Sequence, residues 1–341
     1  MNIVQGTKID IKELRFTNHV CQNITFQGLP ASVSFVMDID ILWELSSIYK
    51  KVIPSWQGLM YTIHQANEHP GKSTVIYLPM IDMYPGDKTC ILSTLEFLCN
   101  LAKKENKTPI ITFDQPLYWK AASIILDSPD NYSLRGIVLM LGSFHTFMNL
   151  LGAIGKLMEG TGLKNILEVI YGENAVLHML TGKSVQRAFR GHLLIEKSLN
   201  HILLSDLGNS NTEFTSLVDK VESMYDLSIA GEMKLETILN SDTVKYIKSK
   251  LNSRKNELEK RSKTSQLWLN YLKMIQIARQ LITADRTGSW KLHLNAVTAC
   301  LPIFASAGHY NYLKAAYLYI QEMSELQFKH PDVLKTFEEG L

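Results

Sequence analysis

Two aspartates stand just past apolar runs, where side chains able to do chemistry would gather. Asp82 follows Leu78-Pro-Met-Ile, and Asp114 follows Ile110-Ile-Thr-Phe. If the two runs are neighbouring strands of one parallel sheet, their carboxylates meet at its C-terminal edge. Hard divalent cations take such oxygen ligands, one or two carboxylates completed by water or phosphate, so Asp82 and Asp114 predict a site for Mg²⁺ or Mn²⁺. His145, in Gly142-Ser-Phe-His after a third apolar run, is placed to act as a base or an extra ligand. The plainer reading gives both aspartates to helix caps and hydrogen-bonds His145 at a helix start.

A second candidate is cationic. Lys183, Arg187 and Arg190 fall at i, i+4 and i+7, so they share one helical face and could meet the phosphates of a nucleic acid. The alternative is a solvated face opposite Val185, Ala188 and Phe189. The nine Lys and Arg from Lys234 to Lys263 are diluted by five acids, counting Glu232, and read as a solvated helix. Gly71-Lys-Ser-Thr imitates the end of a phosphate-binding loop, but Ala66 replaces the leading glycine and the motif opens a strand instead of a helix. His64 with His69, and Cys300 with His309, lack zinc spacing. No Gly-x-Ser-x-Gly elbow occurs, so serine or cysteine hydrolase chemistry is unsupported.

The elements that must position these residues lie between Ser73 and Glu159. Strands are predicted at 73–79, 109–114 and 135–141, with helices at 89–104, 117–126 and 144–159 after each. Continuous apolar strands separated by helices call for a parallel sheet covered on both faces, with its site at the strand C-termini. Before this core come β-like runs at 20–26 and 32–37 and a helix at 39–49. After it the pattern turns helical, with helices at 163–171, 175–204, 213–263, 265–283, 290–305 and 311–326. Gly182 punctuates the second of these, and Ser205 to Thr212 reads as a loop. The fold class is thus an α/β core with a large α-helical extension. Residues 1–53 form an N-terminal β/α segment, 54–162 the α/β core and 163–341 the helical region.

Composition sets the outer limits. The 341 residues are 46% apolar and 20% charged, enough to fill a core, and the net charge of +2 is too small to signal nucleic acid by itself. Four scattered cysteines argue against a disulfide framework. The most apolar stretch, 136–158, is interrupted by Ser143, His145, Thr146, Asn149 and Lys156, so no membrane partner is expected. With no signal-like apolar run at the start, the chain reads as intracellular, in nucleus or cytoplasm.

Several phrases carry a resemblance: HPGKSTVIYLPMIDMYPGD, PIITFDQPLYWKA, LGSFHTFMNLLGAIGKLMEGTGL, HMLTGKSVQRAFRGHLL, ADRTGSWKLHL and AGHYNYLKAAYLYIQEM. From Pro54 onward the chain resembles a multi-copy family of uncharacterised animal proteins whose distribution is like that of mobile elements. The FDQP and GSFH pair is also similar to paired motifs of a transposon-derived group in which the second reads Gly-Asp-Phe-His. That resemblance implies a ribonuclease H-like core with Asp114 as one acid and position 143 as another. Here position 143 is serine, which implies weak or lost divalent-metal phosphoryl transfer. Relatives continue past HPDVLKTFEEGL, implying a truncated copy. Two other functions fit the sequence: a non-enzymatic scaffold whose helices from Trp268 to Leu326 bury a protein partner, and a small-molecule enzyme with its pocket at the strand edge.

Overall fold

The computed structural model describes residues 38–45, 55–58, 74–129, 133–210, 212–229, 232–233, 237–238 and 240–339. The β-like runs at 20–26 and 32–37, Cys21, His64, His69 and Gly71-Lys72-Ser73 lie outside them. The described residues fall into two compact units. The first takes 74–150 and 284–339, and the second takes 38–45, 55–58 and 151–283. Among the described residues the chain passes between them inside two helices, Ser143–Leu157 and Lys263–Thr287.

In the first unit, β1 (Ile110–Phe113) and β2 (Val138–Leu141) pair in parallel, in a register running from Ile110 opposite Val138 to Phe113 opposite Leu141. Between them runs α3 (Gln115–Asp127), and before them α2 (Lys88–Lys104). In α2, Cys90, Ile91, Leu92, Leu95 and Cys99 make one buried stripe, and Lys103 and Lys104 suit the negative end of the helix dipole. Two of the three expected strands are therefore present. The stretch expected as the first is a correction: residues 74–80 join no strand, and Ile81 makes an isolated bridge. Val75, Ile76 and Tyr77 are 76%, 76% and 94% exposed. An apolar run without alternation is stable as a strand only when both its faces are covered, and this one is not.

The rest of the first unit is helical. The end of the Lys263–Thr287 helix, α11 (Trp290–Ala307), α12 (Tyr310–Ser324), α13 (Leu326–Lys329) and α14 (Pro331–Glu338) follow in order, and α12 packs on both β2 and α3. Leu95, Leu134, Leu150 and Phe304 are fully buried here, each contributing about 1.5–3 kcal/mol. The observed architecture is helix-rich around one small two-stranded parallel sheet. No helix among the described residues is long and apolar enough to cross a membrane.

The second unit contains α1 (Asp38–Leu45), the end of α4 (Ser143–Leu157), α5 (Leu163–Glu168), α6 (Glu173–Leu180), α7 (Val185–Ser210), α8 (Thr212–Ile229), α9 (Asp242–Arg261) and most of α10 (Lys263–Thr287). Its core joins Ile41, Leu42 and Leu45 of α1 to Leu204, Phe214, Val218, Val221, Val244, Ile247 and Leu251. The loop expected at 205–212 is a correction, since α7 continues to Ser210. Leu204 is fully buried and Leu207 packs on the same core, so burial outweighs the weak helix propensity of Asp206, Gly208 and Asn209. The apolar face of α10 is likewise used up, with Tyr271, Ile275, Ala278 and Leu281 fully buried.

Four charged side chains are buried together in this unit. The Arg279 guanidinium reaches Glu196 at 2.8 Å and Glu44 at 3.2 Å, and faces Asp40 at 3.4 Å. Asp40 also accepts the Trp56 indole N–H at 3.0 Å. One cation cannot neutralise three ionised carboxylates in a dry interior. Burial accordingly pushes Glu196 up to about 8, against the pull of Arg279, and raises Asp40 in the same direction.

Candidate functional site at the end of the parallel strands

The register that pairs Phe113 with Leu141 brings the next residues, Asp114 and Gly142, side by side. Gly142 N–H donates to the Phe113 carbonyl at 2.7 Å. A Cβ on Gly142 would stand 3.0 Å from that oxygen and 3.7 Å from the Asp114 nitrogen, so glycine is what lets the strand ends close up. Asp114 is extended and caps α3, accepting the Leu117 N–H at 3.2 Å, with Pro116 fitting the first turn. Its second oxygen has no hydrogen bond among the described residues. Burial and the Asp114 charge together push Tyr312, on α12, up to about 12.

The other predicted residues are placed differently. Asp82 is exposed just past Ile81, and the cap of α2 is Asp87, which accepts the Thr89 N–H at 2.7 Å. His145 is half-buried in the first turn of α4, with its ring 5.5 Å from that of Phe144, edge to face. No group of three or more His, Cys, Asp or Glu suited to a metal ion occurs among the described residues. The structure thus keeps Asp114 at the strand edge and leaves Asp82 outside the β1–β2 pair.

A residue the spacing did not single out completes the edge. The Ser143 hydroxyl, in the first position of α4, donates to Asp285 Oδ2 at the end of α10. Asp285 Oδ1 faces His293 Nδ1 at 3.4 Å, and His293 Nε2 lies 3.1 Å from the Tyr319 hydroxyl. The Tyr319 hydroxyl oxygen also lies 3.7 Å from Met140 Sδ, tying the chain back to β2. His293 is held from two sides, stacked on Trp290 at 5.7 Å and edge-on to Tyr319 at 5.9 Å. A carboxylate only accepts, so Nδ1 carries the proton toward Asp285 and Nε2 accepts from Tyr319.

The order of this chain decides its chemistry. In a nucleophilic triad the histidine lies between serine and acid. Here the acid lies between, so Ser143 and His293 orient the Asp285 carboxylate, and neither activates the other. Asp285 and His293 both belong to the ADRTGSWKLHL phrase. Their eight-residue separation spans a helix break and carries no motif, so spacing could not mark them; Asp285 became a candidate only through its hydrogen bond to Ser143.

The cationic stripe is in the second unit. Helix α6 ends in a Schellman turn, with Gly182 at φ 75°, Gly182 N–H on the Met179 carbonyl and Lys183 N–H on that of His178. Lys183 is therefore on the turn before α7, while Arg187 and Arg190 lie on the helix. All three are exposed, and none has a side-chain partner among the described residues.

A helix-rich α/β protein with a serine-held carboxylate at its strand ends is the class of molecule these features define. The chain belongs to the family described as a domain of unknown function, DUF8702, whose family model matches residues 55–341. No curated protein and no solved structure matches it.

Proposed function

We propose that the chain derives from a mobile element and that its strand edge is the remnant of a ribonuclease H-like, divalent-metal phosphoryl-transfer centre with weak or lost activity. The observation that carries this reading is the hydrogen bond from Ser143 to Asp285. The related Gly-Asp-Phe-His motif has its acid where this chain has Ser143. The Ser143 hydroxyl draws a carboxylate from α10 to that position, so the edge again offers two acids, Asp114 and Asp285. Two carboxylates and a hydroxyl form a hard oxygen donor set, which fits Mg²⁺ or Mn²⁺. A cation held there would polarise a phosphoryl oxygen and offset its charge.

The chain's own residues supply the rest. Ser143 and His293 fix the Asp285 carboxylate, and Asp114 keeps one oxygen free while its other caps α3. His145, in the first turn of α4, would position water or phosphate beside the N-terminal N–H groups of that helix. Lys183, Arg187 and Arg190 offer phosphate contacts from the second unit. Asp82 has no part in this reading.

Calorimetric titration with Mn²⁺ tests it. Asparagine caps a helix about as well as aspartate, so Asp114→Asn removes the charge and keeps the cap. Wild type should bind saturably, Asp114→Asn and Asp285→Asn should each weaken binding at least about tenfold, and Asp82→Asn should change nothing. Absence of binding in wild type, or unchanged binding in both asparagine variants at the edge, rejects the assignment.

A further inference from the structure

Away from the strand edge, the first unit contains a cavity of about 360 Å³ against the first half of β2. Neither Asp114, Ser143 nor Asp285 lines it. One wall is a single face of α3, where Ala122 and Ile125 lie, and the others come from Val138 of β2 and from Leu318 and Met323 of α12. Well-packed interiors leave few voids larger than a water molecule. This one is far larger than a single water, opens to solvent at a charged rim, and has walls that are mostly apolar. Its volume falls at the small end of sites that take organic ligands, roughly 300–1,000 Å³.

The polar residues that line the cavity are Tyr118, Arg135, Glu322, Lys329 and His330, and their state is informative. The Tyr118 side chain is 1% exposed, yet its hydroxyl has no hydrogen-bond partner among the described residues, and it lines the cavity. Its ring is fixed edge-on to Tyr319, with centroids 6.4 Å apart. Burial and the nearby Glu322 charge raise its pKa, so the phenol keeps its proton and remains a donor. The charged groups at the rim are already engaged. Lys329 pairs with Glu322 at 3.2 Å and Glu325 at 2.6 Å. Arg135 donates to the Ser128 and Leu126 carbonyls at 2.9 and 2.7 Å. His330 also lines the cavity, and burial and the neighbouring Lys329 charge lower its pKa, so it favours the neutral ring. The Tyr118 hydroxyl is left as a donor facing the cavity without an acceptor among the described residues.

We infer that this cavity is a binding site for a small, neutral, mostly apolar molecule whose carbonyl or ether oxygen accepts a hydrogen bond from the Tyr118 hydroxyl. The apolar body lies between α3, β2 and α12, and the acceptor reaches the end where Tyr118 stands. The inference does not depend on the strand-edge reading, because the two share no lining residue among those named for the edge.

The neutral naphthyl ketone dye Prodan is a suitable probe, since its emission moves to the blue when its carbonyl loses a hydrogen bond. Fluorescence titration of wild type should show saturable one-to-one binding. Tyr118→Phe, which removes only the hydroxyl, should weaken it about fivefold and shift the bound emission to the blue. Ala122→Trp and Leu318→Trp fill the cavity from opposite walls, and each should abolish binding in protein that still melts cooperatively. Should either variant fail to fold, the other and the isosteric Tyr118→Phe carry the test. Lack of saturable binding in wild type overturns the inference, as does binding that survives in the folded filled variants or is unchanged by Tyr118→Phe.

Discussion

The buried charges around Arg279 show what a single proton is worth in this protein. With Asp40, Glu44 and Glu196 all ionised, the cluster would carry a net charge of −2 in the dry interior of the second unit, and burial resolves that by retaining a proton on Glu196. Its pKa is about 8 in the folded chain against an ordinary 4.5. A folded-state pKa raised in this way means that the native state binds more protons than the unfolded state between those values. The stability it confers is complete below the ordinary carboxylate range and is lost as pH rises through about 8. His192, one turn before Glu196 on α7, works in the opposite sense: burial lowers it from 6.5 to about 4, so its contribution is complete above 6.5 and lost on acidification toward 4. The window from 6.5 to 8 therefore isolates Glu196 from His192. Urea midpoints measured across it should fall for wild type and stay flatter for Glu196→Gln, which keeps a hydrogen-bond acceptor for Arg279 without the titrating charge. Parallel slopes in the two proteins would show that Glu196 is ionised throughout and that the proton resides elsewhere.

Elements were legible in the sequence wherever one local force dominated. The β1–α3–β2 order, the stop of α6 at Gly182 and the cap at Asp114 each follow from short-range chemistry, and each is present in the folded chain. Two readings failed because tertiary burial outvoted local composition. The apolar run at 74–80 looks like a covered strand but has no cover, and the polar residues at 205–210 look like a loop but ride on a helix anchored by Leu204 and Leu207. Asp285 was invisible for a related reason, since only a hydrogen bond across 142 residues gives it a role. Gly155 makes the same point in energetic terms. A Cβ there would lie 2.0 Å from the Leu180 carbonyl oxygen, a backbone atom that cannot swing aside, where α4 meets the end of α6. In an exposed helix, Gly→Ala stabilises by up to about 1 kcal/mol. Gly155→Ala should instead destabilise by roughly 3 kcal/mol or more, near the top of the range for overpacking, as read from chemical denaturation. A neutral or stabilising result would mean that α4 and α6 separate at that point without cost.

Charge on the whole molecule is nearly balanced, +2 over 341 residues, so a long-range field cannot supply affinity for nucleic acid. What remains is local. Many basic side chains of the second unit are already committed: Arg254 to Asp206 at 2.7 Å and Glu257 at 3.0 Å, Lys273 to Glu259 at 2.9 Å, and Lys164 to Glu168 and Glu173. Lys183, Arg187 and Arg190 are exposed and without a side-chain partner among the described residues where the Schellman turn leads into α7, and they are the phosphate contacts of the function proposed above. Each phosphate neutralised releases counterions, so three contacts on a duplex predict a log–log salt slope of about −2.7 and roughly a 40-fold loss of affinity between 50 and 200 mM salt. Fluorescence anisotropy with a labelled duplex at several salt concentrations measures that slope directly. Replacing all three cations by alanine should bring it close to zero, while replacing Arg254, whose charge is already spent on two carboxylates, should leave it unchanged. If the triple variant keeps the wild-type slope, the contacts lie on other residues and α7 carries only a solvated face. If wild type itself shows no salt-dependent binding, the second unit has no nucleic-acid surface, and the proposed phosphoryl-transfer edge would need a substrate other than a polynucleotide.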